Sequence, residues 1–280
     1  MKIILSRKGF DSSYGGYPSP ILPDRRLISL PIPSSDVVKY SDLKLDNNKS
    51  YFDLMKELKP NIKYDKKWHE LTKDTECHLD PDIYTHILKR DKDWSACFGQ
   101  INQSQSHLLN EGVKEGDLFL FFGWFKQTIL KNGRLCFDES SPNLHILFGY
   151  LQIGKIIQVN DKTEIPEWMK CHPHARDEDR KKTSTNTIYI ARKNLSWNEN
   201  ISGAGIFRYN KELVLTKEGF SRSKWDLPEF FKDVKISRHS EKSWKPEGYF
   251  KSVDIGQEFI VQDNEKVENW AKNLIKNNHI

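Results

Sequence analysis

The strongest apolar pattern lies in the middle of the chain. VKEGDLFLFFGWF, Val113 to Phe125, and LHILFGYLQIGKIIQV, Leu144 to Val159, are apolar and aromatic runs bounded by glycines and polar turn residues. Such runs predict long, largely buried strands. Ile3 to Leu5 predict a short strand at the start, and NTIYIA and KELVLT predict two more further on. Helices are expected at the flanks. YFDLMKEL follows Ser50, with Asp53 three residues on, which is a helix-start signature. DNEKVENWAKNLIKN sets Val267, Trp270, Ala271, Leu274 and Ile275 on one face behind Asp263 as the expected cap, so an amphipathic helix is predicted over about residues 263–277. Strands in the middle with helices around them give an α+β class, its central sheet mixed or antiparallel and curved in a barrel-like way. With no repeat, linker or low-complexity tract, residues 1–280 are taken as a single domain.

Composition adds limits. Only 37% of the chain is hydrophobic while 12% is aromatic, so much of the core area must come from Phe, Tyr and Trp. No run approaches the roughly 20 apolar residues of a membrane span and no leader-like apolar segment follows the N-terminus, so no membrane partner and a cytoplasmic location are expected. Cys77, Cys97, Cys136 and Cys171 are widely spaced without a paired C-x-x-C, which excludes a zinc ribbon and a disulfide framework. Net charge is +5, and the segment Pro173 to Trp225 holds eleven Lys and Arg against six Asp and Glu, a surplus of five. The basic character is therefore regional, and fits a solvated loop face or a phosphate-binding surface.

Chemistry concentrates in a few short stretches. In CHLDPD, His78, Asp80 and Asp82 form the densest titratable cluster, able to share a proton or a metal ion, although D-P-D is also a turn or cap sequence. In QINQSQSHLLNEGV, Gln103 and Gln105 offer amides suited to a base edge and His107 an imidazole for proton transfer, against the alternative of a polar helix face. His145 reads as a core histidine. CHPHARDEDR offers His172, His174, Arg176 and Arg180 for a phosphate; as zinc ligands the two histidines have no evident partner pair, so no metal is expected. GFSRSKWDLPEFF combines Arg222 and Lys224 with Phe220 and Trp225, cations for phosphate beside aromatic faces for stacking or for packing. SRKGFDSSYGG, Ser6 to Gly16, supplies Ser6, Arg7, Lys8, Asp11, Ser12 and Ser13 among glycines that let backbone approach a ligand, without the order of a P-loop or a dinucleotide fingerprint, and reads from its residues equally as a structured loop.

Two resemblances extend this reading. An EGD turn, a strand, then a second strand carrying GYLQIGKII resembles the strand pair of PUA-like domains, including the EVE and ASCH groups, over about Val113 to Val159. Those domains hold modified bases or RNA. More broadly, SRKGFDSSYGGYPSPILPD, SLPIP, CHLDPD, EGDLFLFFGWF, LHILFGYLQIGKII, HPHARD, NTIYIA and SRSKWDLP together resemble a nucleotide-modification-associated domain family, the third so numbered, up to about residue 232. The sequence departs from that pattern at PDRR, Pro23 to Arg26, where a glycine is expected after the aspartate; this bears on a turn. The family is associated with phage and bacterial systems that modify, or contend with, modified DNA bases. The family's reaction does not carry over; the leading expectation, from the residues beside the resemblance, is an enzyme acting on a nucleotide or on a base in DNA, with Asp11, His78, Asp80 and His107 as acid-base candidates. Ser6, Arg7, Lys8, Ser12, Ser13, Gln103, Gln105, His172, His174, Arg176, Arg222 and Trp225 are then the candidates for holding nucleotide or phosphate. The resemblance implies no particular cofactor. A non-catalytic reader with a PUA-like pocket is the alternative, and a metal-dependent nuclease on His78, Asp80 and Asp82 a third.

Overall fold

Both central apolar runs become strands, of 14 and 15 residues, in a nine-stranded mixed sheet. The computed structural model describes residues 1–254 and 256–280. In chain order the sheet contains β1 (Ile3–Arg7), β2 (Ser19–Ile21), β3 (Cys97–Gln100), β4 (Leu118–Lys131), β5 (Arg134–Phe137), β6 (Leu144–Gln158), β7 (Thr187–Ala191), β8 (Ala204–Ile206) and β9 (Glu258–Val261). Their order is β9-β1-β4-β6-β7-β3, with β2 and β5 also pairing β4 and β8 pairing β6. β1 and β2 run parallel to β4, and the other pairings are antiparallel. The first halves of β4 and β6 are buried on both faces, which is why they read as continuous apolar runs rather than alternating ones.

Among the described residues the sheet does not close into a barrel. β9 and β3 end the path, and where they approach each other side chains span the gap: Gln100 Nε2 donates to Glu258 Oε1 at 2.7 Å. This open seam is where polar groups collect.

The helices are α1 (Tyr51–Leu58), α2 (Asn102–Asn110), α3 (Pro173–Arg176), α4 (Glu178–Lys181) and α5 (Glu265–Asn278). Ser50 and Asp53 form the expected capping box at α1. At α5 the cap is Asn264, one residue beyond the expected Asp263, its side chain accepting from the Lys266 and Val267 amides. α5 buries Val267, Ala271, Leu274 and Ile275; the three larger side chains gain about 1.5–3 kcal/mol each from burial. Trp270 is half-buried and packs edge-on against Phe231. KELVLT does not form the expected strand. Asn210 caps a short 3-10 turn over Lys211–Leu213, and only isolated pairings, Ile146 with Val214 and Thr216 with Trp225, follow it. Among the described residues no helix is long and apolar enough to cross a membrane.

Candidate functional site

Three segments distant in sequence bring imidazoles and a carboxylate to one cavity of about 410 Å3 at the open seam of the sheet. Cys77–His78 pairs antiparallel with Ile32–Pro33, which fixes His78, and Asp80 follows two residues on. β3 brings Gly99, whose amide donates to Asp80 Oδ1 at 2.9 Å. α3 brings His174. There the sequence HPH has a local logic: His172 is the helix cap, Pro173 takes the first helical position, where its missing N–H costs nothing, and His174 follows. Ala175, buried in a small cluster with Cys97, Val159, Met169 and Ile188, pins this turn onto β3 and β7.

Gly99 is required by close packing. A Cβ at this position would lie 2.2 Å from His174 Cδ2, so the imidazole rests where any other residue would put its side chain.

Hydrogen bonds fix the ring orientations. Asn186 Nδ2 donates to the His174 carbonyl at 2.8 Å, so the Asn186 oxygen is the atom 2.8 Å from His174 Nδ1, and that nitrogen carries the proton. His78 Nδ1 lies 3.0 Å from Asp36 Oδ2, an acceptor, and is protonated for the same reason. Both rings therefore turn Nε2 toward Asp80 Oδ2, at 3.7 Å for His78 and 3.8 Å for His174. His172 behaves differently. Its Nδ1 accepts the His174 amide at 3.2 Å, so its Nε2 carries the proton and faces Asp80 Oδ1 at 3.6 Å.

Charge shapes the cluster. Burial opposes ionisation of Asp80, but His172 and His78 outweigh it and hold the carboxyl well below the usual carboxylate range. Burial also opposes charge on His78, yet its hydrogen bond to Asp36 and the nearby Asp80 carboxylate raise its pKa. His174 is pushed down to about 3, by burial first, and stays neutral. Around them stand cations. Arg180 reaches Asp36 at 3.4 Å and the Pro173 carbonyl at 3.1 Å. Lys8 pairs with Glu258 at 2.9 Å and sits over the Phe98 ring. Arg7 donates to the Val253 and Asp254 carbonyls at 2.6 and 2.8 Å, which orients its guanidinium without neutralising it.

The expected residues divide into groups. Arg7, Lys8, Asp11, His78, Asp80, His174 and Arg180 line the one cavity. Ser12, Ser13 and Arg222 line an adjoining cavity of about 660 Å3 that shares Arg7, Asp11 and Asp254 with the first. There Arg222 lies 4.0 Å above the Trp124 ring. Asp11 Oδ1 accepts the Ser13 and Tyr14 amides, so part of its carboxylate shapes the loop. Ser6 is buried beside Glu258. The rest lie elsewhere: His107 bonds Ser237 from α2, Gln103 is exposed, and buried Gln105 accepts from the Tyr189 hydroxyl. Arg176 is exposed outside both cavities. Trp225 lies in the core with its indole N–H on His145 Nδ1, so its ring faces are committed to packing. Asp82 is turned away into an ion pair with Arg90, with Trp94 as a further donor.

Sequence reasoning missed Asp36, Gly99, Gln100, Asn186 and Gln257. Asp36 and Asn186 orient the two imidazoles, and Gly99 makes room for one of them. Nothing local marks them, because each acts on a residue brought near only by the fold.

Fold and site together define an α+β protein with a polar cavity in which histidines, a buried aspartate and arginines meet. Residues 2–262 match the family described as nucleotide modification associated domain 3, and the chain belongs to that family. Its role accordingly lies in nucleotide modification. No curated protein and no solved structure matches the chain.

Proposed function

We propose that the protein is an enzyme that modifies a nucleotide, either free or as a base within DNA, in the cavity that contains His78, Asp80 and His174. The observation that carries this reading is the meeting of a buried carboxylate and two oriented imidazoles with Arg7, Lys8 and Arg180 in one cavity. Groups of the first kind move protons or polarise a reacting atom, and groups of the second kind hold phosphate. The adjoining cavity extends the cationic surface through Arg222, which suits a substrate with more than one phosphate or a strand of nucleic acid. A non-catalytic reader of modified bases would need an aromatic-walled pocket. Tyr14 is the one Phe, Tyr or Trp among the described residues lining the cavity that holds the imidazoles and Asp80, so the cavity with the titratable groups favours the enzyme. Phe10, Trp124 and Phe220 line the adjoining cavity, and those aromatic walls are where a base would stack. A cytoplasmic place of action and a part in phage and bacterial contests over DNA modification belong to the same proposal.

Mass spectrometry of nucleosides, from DNA and from the free pool, in cells with and without the gene tests it. A new or missing nucleoside that depends on His78 and Asp80 is the expected result. Identical nucleoside profiles, together with no nucleotide or DNA binding by the purified protein, would overturn it.

A further inference from the structure

We propose that His78, Asp80 and His174 bind one divalent first-row transition-metal ion, through the two Nε2 atoms and Asp80 Oδ2, with its remaining coordination positions open to the cavity. The inference goes beyond the proposed function and rests on side-chain geometry alone. It holds whatever the substrate.

The lone pairs are the first argument. Asp36 and Asn186 bond the Nδ1 atoms of His78 and His174, so both Nε2 atoms and a carboxylate oxygen face one another and are the atoms offered to a cation. Three ligand atoms turned toward one another are an arrangement that a metal ion completes, displacing any proton that His78 holds there.

Distance is the second. At 3.7 and 3.8 Å the Nε2 to Oδ2 separations exceed the hydrogen-bond range, and the three ligand atoms lie within 4.8 Å of one another. Two ligands each about 2.1 Å from an ion and at a tetrahedral angle stand about 3.4 Å apart, so inward shifts of a few tenths of an ångström bring Asp80 Oδ2 and each imidazole onto one ion.

The surroundings are the third. Each imidazole has an oxygen acceptor on its far nitrogen, the outer arrangement that orients metal-binding histidines. Asp80 Oδ1 is held by the Gly99 amide, which leaves Oδ2 free. The neighbours that look like further ligands are otherwise engaged: Asp82 is paired with Arg90, and His172 presents a protonated Nε2. Two nitrogens, one carboxylate and no thiolate suit Fe(II), Co(II) or Zn(II) rather than calcium or magnesium. The partner pair that His174 lacks in the sequence is thus supplied by the fold, in place of the expectation of no metal.

The test is direct metal binding. Full-length protein stripped with a chelator is titrated with Zn(II), Co(II) and, without oxygen, Fe(II), following heat and, for Co(II), visible absorption. Wild type should bind one equivalent of at least one of these ions saturably, and His78→Ala and His174→Ala should lose that equivalent. His69→Ala, at an exposed position on a separate hairpin, should bind as wild type does. Asp36→Asn keeps all three ligands and should weaken binding by about 10–100-fold, which decides the matter if either alanine variant fails to fold. No saturable binding by wild type overturns the proposal, as does undiminished binding in folded His78→Ala and His174→Ala or in Asp36→Asn. Because no nucleotide enters the measurement, its failure leaves the proposed function standing, and a failure of the nucleoside experiment leaves the metal site standing.

Discussion

Replacing Gly99 with alanine tests the packing on which the site depends, and the sign of the effect is the discriminating quantity. Gly99 lies in β3 without a left-handed backbone, so alanine there should by itself stabilise the protein by about 0.4–1 kcal/mol through the unfolded chain. The structure predicts the reverse. The new Cβ would meet His174 Cδ2 at 2.2 Å and Cγ at 2.4 Å, so the ring must retreat by about 1.2 Å to reach an ordinary contact near 3.4 Å. The ring is held by Asn186 at 2.8 Å and is almost wholly buried, so that retreat breaks a buried hydrogen bond. Overpacking costs about 1–3 kcal/mol, and an unsatisfied buried polar group about 1–3 kcal/mol more. Against the small gain from the unfolded chain, a net loss of about 1–5 kcal/mol is expected. Urea unfolding, with the slope checked for constancy, measures it, and nucleotide-modifying activity should fall in parallel because His174 no longer faces Asp80. Unchanged or increased stability in Gly99→Ala would refute the claim that the glycine exists to seat His174.

Asp80→Asn preserves an acceptor for the Gly99 amide while removing the charge, so activity should drop by about 100-fold or more, accompanied by a lower melting temperature because the fold favours the ionised carboxyl; full activity would make CHLDPD architectural. If Arg222 meets phosphate, Arg222→Ala should reduce the salt dependence of binding by about 0.9 in log-log slope on duplex DNA or about 0.7 on a single strand. An equal slope in variant and wild type would place Arg222 off the ligand. Burial, and then Arg7, Arg222 and Lys251, hold the His145 pKa well below its ordinary value, and the ring accepts the Trp225 indole N–H while neutral. A group depressed in this way is neutral in both states above about pH 6.5. As pH falls below that value only the unfolded chain takes the proton, and stability is lost by up to about 1.4 kcal/mol per pH unit. His145→Gln should have a shallower loss between about pH 6.5 and 5 than wild type, and parallel curves would count against this.

The elements legible in the sequence are those whose cause is local. The runs around Phe119 to Phe122 and Ile146 to Leu151 announce buried strands because burial on both faces removes any need for polar alternation. Ser50 with Asp53, and the apolar stripe from Val267 to Ile275, announce helices because capping and the 3.6-residue period act within a few residues. The motif set also carried the family. CHLDPD and HPHARD stand out as candidate chemistry from residue types alone, and the Ser6 to Gly16 loop through the family resemblance.

Tertiary structure decided which of those candidates meet. His78 and Asp80 share a cavity with His174, not with Asp82, because Cys77–His78 pairs with Ile32–Pro33 and α3 is pinned over β3 by Ala175. Trp225 and Gln105 were drawn into the interior by partners, His145 and Tyr189, that no local pattern reveals. Whether the sheet closed was likewise beyond periodicity, which specifies that a strand is buried but not which strand lies beside it. A side chain's type is a property of the sequence, whereas its partner depends on which distant segments the packed core leaves side by side.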